Sequence, residues 1–241
     1  MIKLLSYLFA AGKLGKVLLT CGTMLFSMLA YSWLFGWRYA VGFVLLIFLH
    51  EMGHYLAAKQ RGLNVGTPTF IPFVGAWIQL KEQPMNVETE AYVAFAGPLA
   101  GTAAALACYF LAREHNSQLM MALAYSGFML NLFNLIPVSP LDGGRITAIL
   151  SPKVWLLGIP LLIALFFYSH SPMVILIGVL AYPQIKEALW PSHRDEEEHQ
   201  RYYSASVSER LSYGAVYLSL VGFLAVMTYE LHQILTPVHS A

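Results

Sequence analysis

Charge is what this chain has least of. Lys, Arg, Asp and Glu make up 11% of its 241 residues, against about 25% in soluble globular domains. Fourteen basic and thirteen acidic residues leave a formal net charge of +1, which excludes the basic field that a nucleic-acid-binding surface needs. Cysteine is scarcer still. Cys21 and Cys108 are the whole complement, too few for a disulfide scaffold or a cysteine-built metal module. Both sit in long apolar runs, where they read as free thiols buried in lipid. Long polar stretches are missing too: the two longest, 59–90 and 190–210, are too short for an appended domain. Hydrophobic residues reach 58% and mean hydropathy is +0.60. This is the composition of a protein embedded in a lipid bilayer.

A spanning helix needs about 20 mostly apolar residues. Uncharged runs place the first four spans at 17–37, 39–58, 91–112 and 117–136. The next run, 154–185, would reach about 48 Å as one helix, too long for a hydrocarbon core of about 30 Å. The polar break from Tyr168 to Pro172 divides it into spans at 154–168 and 173–189. The last span is 211–229. The fold class expected is an all-α polytopic membrane protein of about seven transmembrane helices. Lys and Arg collect in cytoplasmic loops, and seven spans put twelve of the fourteen on the N-terminal side, leaving only Arg38 and Arg113 opposite. Fusing the fifth and sixth spans would reduce the split to eight against six. Seven spans with a cytoplasmic N-terminus are therefore expected. The short apolar stretch 4–11, followed by Lys13 and Lys16, reads as an interfacial helix leading into the first span rather than as a signal peptide. The acidic run 195–198 between His193 and His199 reads as a solvated face.

Ionisable residues at membrane depth are costly and functional by default. The second span carries three within five positions: His50, Glu51 and His54. On a helix, His50 and His54 share one face and can meet one ion, while Glu51 is turned about 100° away, near enough to reach a metal-bound water. A catalytic zinc needs a third protein ligand and an open position. Glu82, Glu88 and Glu90 fall in a polar loop and Glu114 on the opposite side. Asp142 follows the fourth span in a segment, 134–145, whose two prolines and two glycines prevent a regular helix. Alone it reads equally well as a turn or cap residue before Arg145. With the histidines it completes a ligand set, because the second and fourth spans both run inward and bring all three residues to one depth. Zinc lowers the pKa of bound water to about 7, and Glu51 is placed to accept its proton as a peptide carbonyl is attacked.

Three motifs, His50-Glu51-Met52-Gly53-His54, Ala96-Gly97-Pro98-Leu99-Ala100-Gly101 and Asn134 through Gly144, in this order and spacing, resemble the site-2 protease family, the M50 intramembrane zinc metalloproteases. The likeness covers at least Val41 to Arg145. It implies one zinc per chain held by His50, His54 and Asp142, Glu51 as the catalytic glutamate, and Asn134 near the substrate carbonyl. It also implies hydrolysis of membrane-spanning protein substrates, as in regulated intramembrane proteolysis. Many members carry a PDZ or CBS domain, and this chain has room for neither. A single membrane-embedded peptidase domain, 1–241, with its core at about 39–150, is expected. It would lie in a prokaryotic cell membrane, with the active site near the cytoplasmic side.

The stretch 66–80 reads as a short hairpin broken by Gly75, between the second and third spans. Its open edge could pair with an unwound substrate strand, which makes Gly75 a substrate-binding candidate, or it could be a re-entrant loop that plugs the bundle. Gly97, Pro98 and Gly101 are expected to let the third span pack closely on its neighbours. Gly143, Gly144 and Asn134 are expected to line a polar cavity. Other functions open to the same ligands are a metal transporter and a catalytically silent metal-binding scaffold. A transporter lacks a polar path in the outer half. A silent relative would have lost Glu51 or a ligand. A CAAX-type prenyl protease would need a further helical glutamate, which is absent at that depth.

Overall fold

The computed structural model describes residues 2–66, 69–72, 75–77, 86–190 and 196–236. Helices α1 (Ile2–Phe35) and α2 (Trp37–Gln60) precede a hairpin of β1 (Thr69–Ile71) and β2 (Gly75–Trp77). There follow α3 (Val87–His115), α4 (Gln118–Asn134), α5 (Asp142–Thr147), a 3-10 turn (Pro152–Leu157), α6 (Gly158–Ser169), α7 (Pro172–Leu189), α8 (Glu196–Tyr202) and α9 (Val207–Leu235). Six stretches are long and apolar enough to cross a membrane: Leu18–Phe35 of α1, the whole of α2, α3, α7 and α9, and Pro152–Ser169. At 17 residues, α4 sits at the lower limit for a span. The protein is thus an all-α, multi-pass membrane protein with six candidate spans among the described residues.

Polar punctuation in an apolar sequence sets the helix boundaries. Gly36 takes φ 81° between α1 and α2, a conformation that a side chain disfavours. Asn116 at φ 49° ends α3, and the next residue, Ser117, caps α4 through the amide of Met120. His170 at φ 50° ends α6, and Ser171 with Pro172 starts α7. The run 154–185 is therefore divided at the polar break, as its length required.

Small residues let α2, α3 and α4 approach closely. A methyl group on Gly53 would overlap the carbonyl of Ala96, and one on Gly127 would press on Ala105. Against this core α9 lays Tyr217, Leu220, Leu224 and Leu231, which pack with Phe128 and Leu135. By contrast α1, α6 and α7 present Leu18, Phe26, Trp33, Phe167 and Val179 outward, as lipid-facing helices do. Near its start Arg210 binds the carbonyls of Ile149 and Leu150, and near its finish His232 meets Tyr125 midway along α4.

The hairpin pairs antiparallel, Thr69 with Trp77, Phe70 with Ala76 and Ile71 with Gly75. It lies on α1, where the Phe70 amide donates to Thr23 Oγ1, and Phe70 stacks on Phe48 of α2. Gly75 opens β2 rather than occupying the turn. Two further expectations are corrected. α1 runs unbroken from Ile2, because nothing between Leu4 and Lys16 stops a helix, so no separate interfacial helix precedes the span. Glu88 and Glu90 stand in the first turn of α3, capped by the Asn86 side chain, where acidic groups complement the helix dipole. Glu82, Gln79, Leu80 and His193 lie outside the described residues.

Candidate metal centre

One face of α2 directs His50 and His54 toward α3 and α4. Asp142, first residue of α5, comes to the same point because the chain after Asn134 abandons helical geometry and folds back on itself. Gly143 and Gly144 make this possible. A side-chain carbon on the first would strike the carbonyls of Leu135 and Ile136, and on the second the backbone of Val138 and Ser139. Both are buried, with the backbone of 135–139 where a side chain would stand. Trp155 Nε1 donates to the Gly144 carbonyl, and Thr147 Oγ1 to that of Gly143, fastening the turn of chain that carries Asp142.

The result is a nearly equilateral triangle. His50 Nε2 lies 3.1 Å from Asp142 Oδ2 and 3.1 Å from His54 Nε2, and His54 Nε2 lies 3.2 Å from Asp142 Oδ2. His50 is 3% exposed and Asp142 8%; His54 is slightly more open. Among the described residues these three form the group of His, Cys, Asp or Glu able to hold a metal ion. Glu51, 8% exposed, lies within electrostatic reach of His50, Asp142 and Arg145.

The hydrogen bonds behind the triangle decide what it can bind. His54 Nδ1 lies 2.8 Å from the Val93 carbonyl, which can only accept, so Nδ1 carries the hydrogen and Nε2 a lone pair. His50 Nδ1 lies 2.8 Å from Asn131 Oδ1. The Asn131 amide donates from Nδ2 to the Gly127 carbonyl at 2.7 Å, which fixes its orientation and makes Oδ1 an acceptor. With neutral rings, three electron-pair donors face one another with no hydrogen between them, an arrangement that a cation relieves. A four-coordinate ion with bonds of about 2.0–2.1 Å holds its ligands about 3.3 Å apart, close to the observed edges. The donor set therefore fits a divalent metal.

Third-helix glycines make room for this set. A side-chain carbon on Gly97 would overlap the His54 ring, and one on Gly101 the Asn131 carboxamide. Close packing was the expectation for them; what packs there is the site itself. Of the two substrate candidates, Asn134 donates from Nδ2 to the Leu130 carbonyl of its own helix at 3.1 Å, and Gly75 lies in β2 opposite Ile71. Neither belongs to the triangle. Asn131, 1% exposed, was not singled out in the sequence, although a carboxamide inside an apolar span is a recognised sign of an interhelical hydrogen bond.

A second polar cluster lies at the end of the bundle where α2 finishes and α3 begins. Arg61 grips Glu88 with two bonds of 2.8 and 2.7 Å and lies over the Tyr92 ring. Tyr213 also donates to Glu88. Glu90 receives Arg145 Nε at 3.1 Å and the Tyr202 hydroxyl. Burial and the Glu90 carboxylate push that hydroxyl well above its ordinary range, so it stays protonated and donates.

The site is thus a buried group of two histidines and one aspartate, able to hold a metal ion, with a glutamate nearby and inside a bundle of apolar helices. Peptidase family M50 matches residues 38–118, the segment that holds both histidines, Glu51, Gly97 and Gly101 but not Asp142. A zinc metalloprotease of Methanocaldococcus jannaschii is 32% identical over 152 residues, covering 59% of this chain and 44% of the relative; the chain thus spans less than half the length of that curated relative. The solved site-2 protease from the same organism aligns over 68% of this chain and 86% of its own, at 23% identity and a TM-score of 0.47. Both sequence matches point the same way: over residues 38–118 the chain is similar to Peptidase family M50, and the relative it resembles is a zinc metalloprotease.

Proposed function

We propose that this protein is an intramembrane zinc metalloprotease that hydrolyses peptide bonds of membrane-spanning protein substrates. The observation that carries the proposal is the triangle of three bare electron-pair donors at His50, His54 and Asp142, buried among apolar helices with Glu51 beside it. When bound there, zinc would acidify a water and polarise a peptide carbonyl. The Glu51 carboxylate takes the proton of the attacking water and returns it to the leaving amine. The imidazoles keep their Nε2 lone pairs turned inward because Val93 and Asn131 occupy the opposite nitrogens. A substrate helix must unwind before its carbonyl can be attacked, since its peptide groups are otherwise held in the i to i−4 ladder. The β2 edge at Gly75 is the proposed docking strand for the unwound segment, and Asn134, with an oxygen and a second N–H to offer, the proposed contact to the scissile carbonyl.

The proposed orientation sets the cluster at Arg61, Glu88 and Arg145 in the cytoplasm, on the twelve-to-two division of Lys and Arg. Reporters fused at Met1 and Ala241 should then give opposite signals; equal signals would require an even number of crossings. For the activity, membrane fragments from cells carrying the wild type and Glu51→Gln are compared by proteomics. Fragments that disappear in the variant while their uncut precursors accumulate are expected. Identical fragment sets would remove the protease proposal and leave a metal-binding scaffold.

A further inference from the structure

We infer that Asn131 is a positioning residue for the metal centre: it holds His50 as the Nδ1–H tautomer, so that the Nε2 lone pair points at the other ligands. The inference rests on the metal-site reading above and adds to it a residue with no direct contact to an ion. Asn131 lies on α4, its side chain fully buried, with both ends of the carboxamide committed. Nδ2 donates to the Gly127 carbonyl at 2.7 Å and Oδ1 stands 2.8 Å from His50 Nδ1. Flipping the amide would bring two oxygens together at Gly127, so the acceptor is forced to face the ring. An imidazole whose Nδ1 meets an acceptor must place its hydrogen there.

The two histidines are oriented by different means. His54 uses the Val93 backbone carbonyl, which no substitution of side chain removes. His50 uses a side chain, and that side chain has space only because Gly101 on α3 lacks one. The His50 orientation is therefore the one that sequence can alter. Outer partners of this kind raise ligand basicity and fix ring orientation, and their loss typically weakens metal binding about 10- to 100-fold.

The test uses full-length protein in lipid nanodiscs, labelled with 15N-histidine, as wild type, Asn131→Leu, Asn131→Asp and Gly101→Ala. Zinc affinity is measured by chelator competition, and ring tautomers by nitrogen shifts of the metal-free protein. Wild-type His50 should carry its hydrogen on Nδ1. Asn131→Leu, close in volume but without an acceptor, should mix the tautomers and bind zinc about 10- to 100-fold more weakly. Asn131→Asp keeps the acceptor toward His50 but sets an oxygen against the Gly127 carbonyl, so it should restore the Nδ1–H tautomer and only part of the affinity. Gly101→Ala, which displaces an intact Asn131, should move both readouts in the same direction as Asn131→Leu, and it carries the test if the leucine variant does not fold. A hydrogen on Nε2 of wild-type His50 overturns the inference whatever the zinc result. So does an equally mixed His50 tautomer in the Leu and Asp variants, which is what a purely structural role would give. Absence of zinc binding by the wild type would defeat the metal reading instead, and the tautomer would still decide the role of Asn131.

Discussion

Glu88 and Glu90, at the start of α3, meet donors on every recorded contact, whereas Asp142 meets two imidazole nitrogens whose hydrogens point elsewhere. In the first cluster Arg61, Tyr213, Arg145 and Tyr202 supply hydrogens to the carboxylates. In the second, Nε2 of His50 and of His54 lie 3.1 and 3.2 Å from Asp142 Oδ2 with their hydrogens spent on Asn131 and Val93. Both regions centre on carboxylates, partly buried in the first and buried in the second, and they differ in whether donors and acceptors match. A matched cluster is complete and holds helices together. With neutral rings the second cluster is unmatched, an arrangement that a cation would relieve.

The largest effect that would sharpen this contrast is expected at Glu51. Glu51→Gln keeps volume and hydrogen bonding and leaves the triangle intact, so zinc content should survive while cleavage of a membrane substrate by purified protein falls about 100- to 10,000-fold. Near-normal cleavage by zinc-loaded variant would dismiss the proposed base. Next comes Asp142→Ala. Metal analysis of the wild type should find about one zinc per chain, and removal of one corner should reduce that to a small fraction. Full occupancy would mean that the third ligand lies elsewhere. A smaller change is expected from Gly97→Ala, whose methyl group meets the His54 ring. Overpacking of this kind costs about 1–3 kcal/mol, visible as a lower unfolding temperature together with weaker zinc binding. If only the unfolding temperature moved, the glycine would serve helix packing alone. The smallest effect belongs to the matched cluster: Arg61→Met, in a partly exposed pair, should cost about 0.2–1 kcal/mol, diminish in high salt and leave zinc affinity unchanged. A large loss of zinc there would collapse the distinction between the clusters.

Much of this was legible beforehand because lipid leaves few choices. Length and polarity located the spans, and the break at 168–172 was recoverable because a single helix there would have overrun the bilayer. His50 and His54 could be paired on one face because helical periodicity is local. The pairing of Asp142 with them was reached through topology, since three residues at one depth narrow the search. What escaped were the long-range details. Glu88 and Glu90 looked like loop residues because the Asn86 cap that starts the helix early depends on one side-chain rotamer. The interfacial helix expected before the first span is instead the continuous start of α1.

By itself, then, the sequence determined the membrane class, the order of the helices and the chemical identity of the candidate ligands, since hydropathy, breaks and helical spacing act over a few residues at a time. Only the tertiary structure decided that Gly97 and Gly101 are hollows for His54 and Asn131, that Gly143 and Gly144 pack on backbone, and that Asn131 stands behind His50. Those facts depend on which surfaces of distant segments meet at contact distance, and hydrogen bonds and steric overlap change over less than an ångström.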